Sequence, residues 1–102
     1  MENVTYVQAG PVLIINLPKE VDDHVCKGIK EETDHYISEG KVQKLIFDFS
    51  KTCFMDSSGI GILLGRYKRM HHMGGEVFVT GEDSKIRRLL RISGIYQVIG
   101  TL

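Results

Sequence analysis

The chain lacks several features that would point to particular classes of protein. It has no tryptophan, two prolines and two cysteines among 102 residues. Cys26 and Cys53 are too far apart in sequence to form a Cys-x-x-Cys redox or zinc motif, which fits a reducing compartment. No apolar run approaches the roughly 18 to 20 residues that span a bilayer. The N-terminus also lacks the basic start and apolar stretch of a secretory signal. These absences predict a cytoplasmic protein that makes no membrane contact.

The charge pattern gives no reason to expect a nucleic-acid partner. The formal net charge is zero, so the whole molecule has no attraction to a polyanion. Basic residues concentrate in two stretches, Arg66–Arg69 and Lys85–Arg91, but aromatic residues do not alternate with them as a stacking platform requires. Both stretches are interpreted as solvated helix faces.

Length and composition predict one globular unit. A chain of 102 residues is near the middle of the single-domain range, and 42% hydrophobic and 25% charged residues are ordinary for a folded protein. We therefore expect residues 1–102 to form a single domain.

The first half of the sequence predicts a hairpin, a helix and a buried strand. Val4–Gln8 and Val12–Leu17 are apolar, β-branched segments separated by a short turn signal. Apolar positions recur at helical spacing over 24–38, and Gly40 is expected to close that helix. The run within 42–49 does not alternate, which is typical of a central strand covered on both faces.

The second half continues the alternation of helix and strand. A loop over 50–56 precedes a helix whose inward face is predicted to carry Ile60, Leu63, Leu64, Tyr67 and Met70. Gly61 and Gly65 on that helix are expected to allow a close approach to a neighbour. The remaining predictions are a strand over 76–80, a helix capped by Ser84 and a strand over 96–99. Together they indicate an α/β fold: a mixed sheet with an N-terminal hairpin and its helices mainly on one face.

The segment Phe54–Gly61 holds the most informative residues. Ser57 or Ser58 lies where a helix begins and is a natural helix cap. A helix N-terminus has unpaired N–H groups and a partial positive charge, so it also favours a phosphate attached to such a serine. The order of residues is not Gly-x-Ser-x-Gly, which argues against a serine nucleophile.

Two other classes remain open from the residues alone. An enzyme would need a base or a metal set, and the histidines at 24, 35, 71 and 72 have no metal-ligand spacing. A phosphoacceptor of the response-regulator class is suggested by Asp22, Asp23 and Asp48. The N-terminal hairpin and the lack of a lysine at the end of the last strand argue against it.

The sequence resembles the STAS-domain anti-sigma-factor antagonists, especially the sporulation type. The resemblance rests on Asp56-Ser57-Ser58-Gly59-Ile60-Gly61, Leu64-Gly65-Arg66-Tyr67-Lys68, Gly74-Gly75-Glu76 and 87–94, in that order and spacing. Lys19-Glu20-Val21-Asp22 is similar to the Gly-Glu-Leu-Asp signature of the family, with Lys19 in place of the glycine. The family's C-terminal helix has no counterpart before Leu102, and an uncovered sheet face or edge there would favour dimers.

The resemblance implies a regulator and not an enzyme. Ser58 is expected to accept a phosphoryl group from ATP held by an anti-sigma factor that is also a serine kinase. The unphosphorylated chain would bind that partner and free the sigma factor, phosphorylation would end the binding, and a serine phosphatase would restore it. No cofactor or metal of its own is expected.

The resemblance also implies a partner-binding surface. Its expected residues are Asp22, Asp56, Ser57, Ser58, Gly59 and Ile60. The alternative is a STAS interaction module of a larger regulatory assembly, in which Ser58 is never phosphorylated.

Overall fold

The computed structural model describes residues 3–102. The first two residues lie outside the described residues. They belong to the N-terminal segment on which the signal-peptide prediction rests. The elements follow in chain order as β1 (Thr5–Ala9), β2 (Val12–Asn16), β3 (Glu20–Val21), α1 (Asp23–Ser38), β4 (Lys44–Asp48), β5 (Phe54–Met55), α2 (Ser57–His72), β6 (Glu76–Thr80), α3 (Ser84–Ser93), a 3₁₀ helix (Ile95–Gln97) and β7 (Gly100–Thr101).

A mixed five-stranded sheet forms the centre of the fold. Its strand order is β1-β2-β4-β6-β7, in which only the β1–β2 hairpin is antiparallel and the other pairs are parallel. A separate two-stranded parallel sheet joins β3 to β5. The predicted hairpin, the central parallel position of β4 and the alternation of helix and strand are confirmed. The expectation that β4 is covered on both faces is wrong, because only one of its faces is fully buried.

The two faces of the large sheet differ in burial. One face is closed by the helices and carries the fully buried side chains of β2, β4 and β6, including Leu13, Leu45 and Phe47. Tyr6 of β1 lies on that face and stacks on Tyr36 of α1, with ring centroids 6.0 Å apart. The opposite face is half-buried and carries Val12, Ile14, Ile46 and Phe78. The helices α1 and α2 therefore pack on one side, as the sequence predicts.

The predicted strand over 96–99 is wrong. Residues Ile95–Gln97 form a 3₁₀ helix, and the last strand is the two-residue β7 that follows it. Ile95 and Ile99 are both buried. Buried apolar residues at this spacing occur in a short helix as well as in a strand, so the pattern over these few residues did not distinguish the two structures. The predicted loop over 50–56 likewise contains the short strand β5.

No helix within residues 3–102 is long and apolar enough to cross a membrane.

Candidate functional site

Two short parallel strands bring the starts of α1 and α2 together. In the β3–β5 pair, Val21 lies opposite Met55. The backbone N–H of Asp56 donates to the carbonyl of Val21 at 3.2 Å, which carries the pairing one residue past β5. Asp22 and Asp56 directly follow the two strands. They are therefore neighbours at the start of the two helices.

Both aspartates cap the helices that they precede. The carboxylate of Asp22 accepts a hydrogen bond from the backbone N–H of Val25, and that of Asp56 accepts one from Ser58, each at 2.9 Å. The prediction that Ser57 or Ser58 caps α2 is therefore wrong. Aspartate caps a helix as well as serine does, and the helix begins one residue earlier than the serine pair suggested.

The two serines occupy the first turn of α2 with their hydroxyls uncommitted. Ser57 is exposed and Ser58 is half-buried. Neither hydroxyl makes a hydrogen bond to another of residues 3–102, because Asp56 has taken the capping role. A hydroxyl that makes no internal hydrogen bond can be modified without breaking one.

Gly59 and Ile60 form the inner side of this turn. Gly59 is buried against Met55, and an added Cβ would overlap the Cγ and Sδ of that methionine. Ile60 is half-buried and packs against the core. Of the six predicted partner-binding residues, Asp22, Asp56, Ser57 and Ser58 reach the surface, whereas Gly59 lets α2 approach β5.

A groove of about 310 Å³ runs between the first turns of α1 and α2. It is lined on α2 by Ser58, Gly61 and Ile62 and on α1 by Asp23, Cys26, Lys27 and Lys30. Lys27 pairs with Asp23 at 3.3 Å, and Lys30 pairs with Asp34 at 3.0 Å. No sequence motif marks these lysines, although their spacing on α1 places them on one helix face.

Negative charge concentrates at the same end of the molecule. Cys26 has its pKa raised to about 11, first by burial and then by the carboxylates of Asp56, Asp22 and Asp23. Three acidic side chains therefore act on one buried thiol. An added phosphate here would enter a field that is already negative.

An exposed aromatic residue borders the acidic side chains. Phe54 of β5 is 51% exposed. Cys53 beside it is also exposed, although a cysteine in a loop next to the core is ordinarily expected to be buried. Single exposed apolar residues are common on protein surfaces, so only the position of Phe54 beside Asp56 makes it a candidate contact residue.

Behind the groove, a charged cluster ties α1 to α2. Arg66 of α2 donates to the carboxylate of Asp34 and, at 3.2 Å, to the hydroxyl of Thr33, both in α1. Arg69 also donates to Asp34, at 2.7 Å. Burial raises the pKa of Asp34, but hydrogen bonds from Arg66 and Lys30 outweigh it and hold that pKa at about 2. Arg66 is buried, so the prediction that it belongs to a solvated helix face is wrong. The basic residues of α3 are exposed, so the same prediction for that helix is confirmed.

Gly61 and Gly65 of α2 do not have the predicted role of allowing a close approach to a neighbour. Nothing lies within 4 Å of a Cβ built on Gly61 or Gly65, so neither marks a close approach, and Leu64 is exposed. Gly59 holds that role instead.

Of the residues behind the response-regulator interpretation, Asp22 and Asp23 lie in this site at the start of α1, whereas Asp48 belongs to another element. Asp48 ends β4, where its carboxylate accepts the backbone N–H of Ser50 at 2.8 Å. Among residues 3–102, no group of three or more histidine, cysteine, aspartate or glutamate side chains is placed to hold a metal ion.

Comparison with known proteins places these features in a family. A family model described as the STAS domain matches residues 3–102. The chain is 34% identical over 88 residues to an anti-sigma F factor antagonist of Paenibacillus polymyxa, covering 86% of this chain and 75% of that protein. It is 28% identical over 81 residues to an anti-sigma-B factor antagonist of Listeria monocytogenes, covering 78% and 69%.

Solved structures share the fold. The unphosphorylated anti-sigma factor antagonist SpoIIAA superposes with a TM-score of 0.81 at 22% identity, over 100% of this chain and 87% of that one. The phosphorylated Bacillus cell fate determinant SpoIIAA gives 0.79 at 24% identity, over 100% and 91%. These likenesses confirm the mixed α/β architecture.

Proposed function

Because the chain belongs to the STAS-domain family, we propose that it is an anti-sigma factor antagonist whose activity is switched at Ser58. Unphosphorylated, it binds an anti-sigma factor that is also an ATP-bound serine kinase, and the sigma factor is released. Phosphorylation of Ser58 ends that binding, and a serine phosphatase restores it. The protein acts in the cytoplasm as a single STAS domain over residues 1–102, in a partner-switching circuit of the sporulation type.

The uncommitted hydroxyl of Ser58 carries the proposal. It lies in the first turn of α2, beside a groove open to solvent, and Asp56 already caps the helix. Transfer of a phosphoryl group to this hydroxyl therefore breaks no internal hydrogen bond. The curated relatives are themselves anti-sigma factor antagonists, which supports the choice of partner class.

Electrostatics account for the switch without a change of fold. A phosphoserine adds about 1.5 to 2 negative charges, and Asp22 and Asp56 stand beside it at the same surface. Like charges at an interface oppose docking, above all against a partner that carries the phosphates of ATP. A difference of about 3 kcal/mol between the two forms would change the affinity more than a hundredfold.

The test is phosphorylation of the wild type and two variants by the cognate anti-sigma kinase with Mg-ATP. Intact-mass measurement and peptide mapping should find one phosphate on the wild type and on Ser57→Ala, and none on Ser58→Ala. Ser57→Ala is the matched control because it removes the neighbouring hydroxyl. Partner affinity is then measured by calorimetry for both forms of the wild type.

One result would overturn the switch. If the kinase is active on another substrate but leaves the wild type unmodified, while the two proteins still bind, the chain is a constitutive interaction module.

A further inference from the structure

We propose that the groove between α1 and α2 receives the phosphoryl group of phosphorylated Ser58, and that Lys27 leaves Asp23 to pair with it. The inference rests on the proposed phosphorylation of Ser58. It adds an intramolecular partner for the phosphate and a second change in charge at the same surface.

The geometry directs Ser58 toward α1. Ser58, Gly61 and Ile62 line the groove together, as residues at helical spacing on one face of α2 do. Gly61 contributes no side chain, and nothing lies within 4 Å of a Cβ built there. The groove therefore has space for a tetrahedral phosphate next to the Ser58 hydroxyl.

Lys27 is the cation that is easier to recruit. Its ion pair with Asp23 joins side chains that are 75% and 68% exposed, and such pairs add little to stability. Lys30 is held by Asp34, which belongs to the cluster with Arg66 and is less exposed. A phosphate with two negative charges and three acceptor oxygens competes well against a single exposed carboxylate.

Recruitment of Lys27 also exposes a further negative charge. In the unphosphorylated protein Lys27 neutralises Asp23, which lies beside the capping residue Asp22. When the lysine turns to the phosphate, Asp23 is left unpaired at the start of α1. Phosphorylation on α2 thereby changes the charge presented by α1, although the backbone of neither helix moves.

The test measures the second pKa of the phosphate by ³¹P NMR titration. Phosphoserine is installed at position 58 during translation, so the measurement does not depend on a kinase. The samples are the otherwise wild-type chain, Lys27→Gln, Lys30→Gln and Lys68→Gln. Lys68 is the matched control because it is an exposed lysine on α2 that does not line the groove.

Loss of the paired lysine should raise the phosphate pKa, because a nearby cation favours the dianion. Lys27→Gln is expected to raise it by roughly 0.3 to 0.7 units at low salt, and Lys68→Gln to leave it within about 0.1 unit. The carboxylates of Asp22 and Asp56 and the thiol of Cys26 are the same in every sample. Under the proposal Asp23 is unpaired both in the phosphorylated wild type and in Lys27→Gln, so its contribution to the phosphate pKa cancels between those two.

Two outcomes would overturn the inference. An unchanged pKa in Lys27→Gln excludes the pairing, and a shift confined to Lys30→Gln assigns the phosphate to the other lysine. Neither outcome concerns the proposed function, which fails separately if the kinase does not phosphorylate the wild-type chain.

Discussion

Arg66 and Asp34 join α2 to α1 directly behind the groove that Ser58 lines. The guanidinium side chain is 6% exposed, and its Nη1 donates to the carboxylate of Asp34 across the helix interface. Its Nε is buried and makes no hydrogen bond to residues 3–102. The carboxylate is therefore the main compensation for a buried cation, and it also fixes the two helices relative to each other.

Loss of that carboxylate should destabilise the fold. Asp34→Asn leaves Arg66 buried without its counter-ion, and we expect the free energy of unfolding to fall by about 1 to 3 kcal/mol at pH 7. Urea denaturation measures the change. Asp23→Asn is the control, because it removes an exposed carboxylate of the same helix and should change stability by less than about 0.5 kcal/mol.

The same carboxylate should contribute to acid sensitivity. The pKa of Asp34 is about 2 in the folded protein, below its ordinary value of 3.8, because the hydrogen bonds from Arg66 and Lys30 outweigh burial. As the pH falls from about 4 to 2, the unfolded chain binds the proton first, so the stabilisation by Asp34 is present above that window and lost within it. Urea titrations at pH 5, 4 and 3 should show a shallower loss for Asp34→Asn. Parallel curves would contradict this assignment.

Two glycines of α2 should respond oppositely to alanine. Gly59→Ala is expected to lower stability by about 1 to 3 kcal/mol, because the new methyl group overlaps the buried side chain of Met55. Gly65→Ala meets open space and should raise stability by about 0.5 to 1 kcal/mol, since alanine favours the helix. Thermal unfolding of both variants makes the comparison, and a shift of equal sign would refute the packing argument.

A capping variant can separate recognition from stability. Asp56→Ala and Asp83→Ala each remove an aspartate that caps a helix, so each should cost about 1 kcal/mol. Only Asp56 belongs to the proposed partner surface. Calorimetric titration with the anti-sigma factor should therefore show weaker binding for Asp56→Ala and unchanged binding for Asp83→Ala. Equal affinities would remove Asp56 from the interface.

Phe54 should act as an apolar anchor for the partner. Phe54→Ala is expected to weaken partner binding by at least 1 kcal/mol, about fivefold, with little loss of stability, because the ring is half in water. Ile92→Ala is the control: Ile92 is 75% exposed on α3, away from the proposed partner surface, and should bind normally. The same titration decides between these expectations.

The two cysteines should differ in reactivity. Cys26 is buried and its pKa is raised to about 11, whereas Cys53 is exposed. Iodoacetamide at pH 7.5 should therefore modify Cys53 first, because alkylation requires an accessible thiolate. Peptide mapping over time measures both rates, and faster labelling of Cys26 would show that the acidic end of the groove opens in solution.

The order of helices and strands was predictable from the sequence because the spacing of apolar residues over a long segment differs between a helix and a strand. Val12–Asn16 and Lys44–Asp48 appear as strands where predicted, and α1 runs to Ser38 before Gly40 adopts a φ of +73°. The family is confirmed as well. The role of Ser58 remains a prediction, because its uncommitted hydroxyl beside the groove permits phosphorylation without demonstrating it.

The errors arose where several residues compete for one role. Asp56 and Asp83 each precede a serine, and in both cases the aspartate caps the helix. The sequence therefore placed each cap at the serine, after its true position. Arg66 is charged yet buried, because Asp34 and Thr33 on another helix satisfy it. Such partners are far apart in sequence, and helical periodicity within one segment cannot reveal them.

The β3–β5 pair has a consequence for how the surface opens and closes. Each strand has two residues and lies outside the main sheet. Backbone hydrogen bonds from Cys53 and Phe54 to Lys19 and from Asp56 to Val21 connect the two loops, and the hydroxyl of Thr52 donates to the carbonyl of Pro18. We expect local opening of so small a unit to cost less free energy than unfolding of the whole domain, although Val21 and Met55 are buried. Its amides should exchange with deuterium early, and a bound partner should slow them by selecting the closed form. A partner that contacts both Asp22 and Asp56, which are 34 residues apart along the chain, would therefore bind the closed form of this pair and stabilise it.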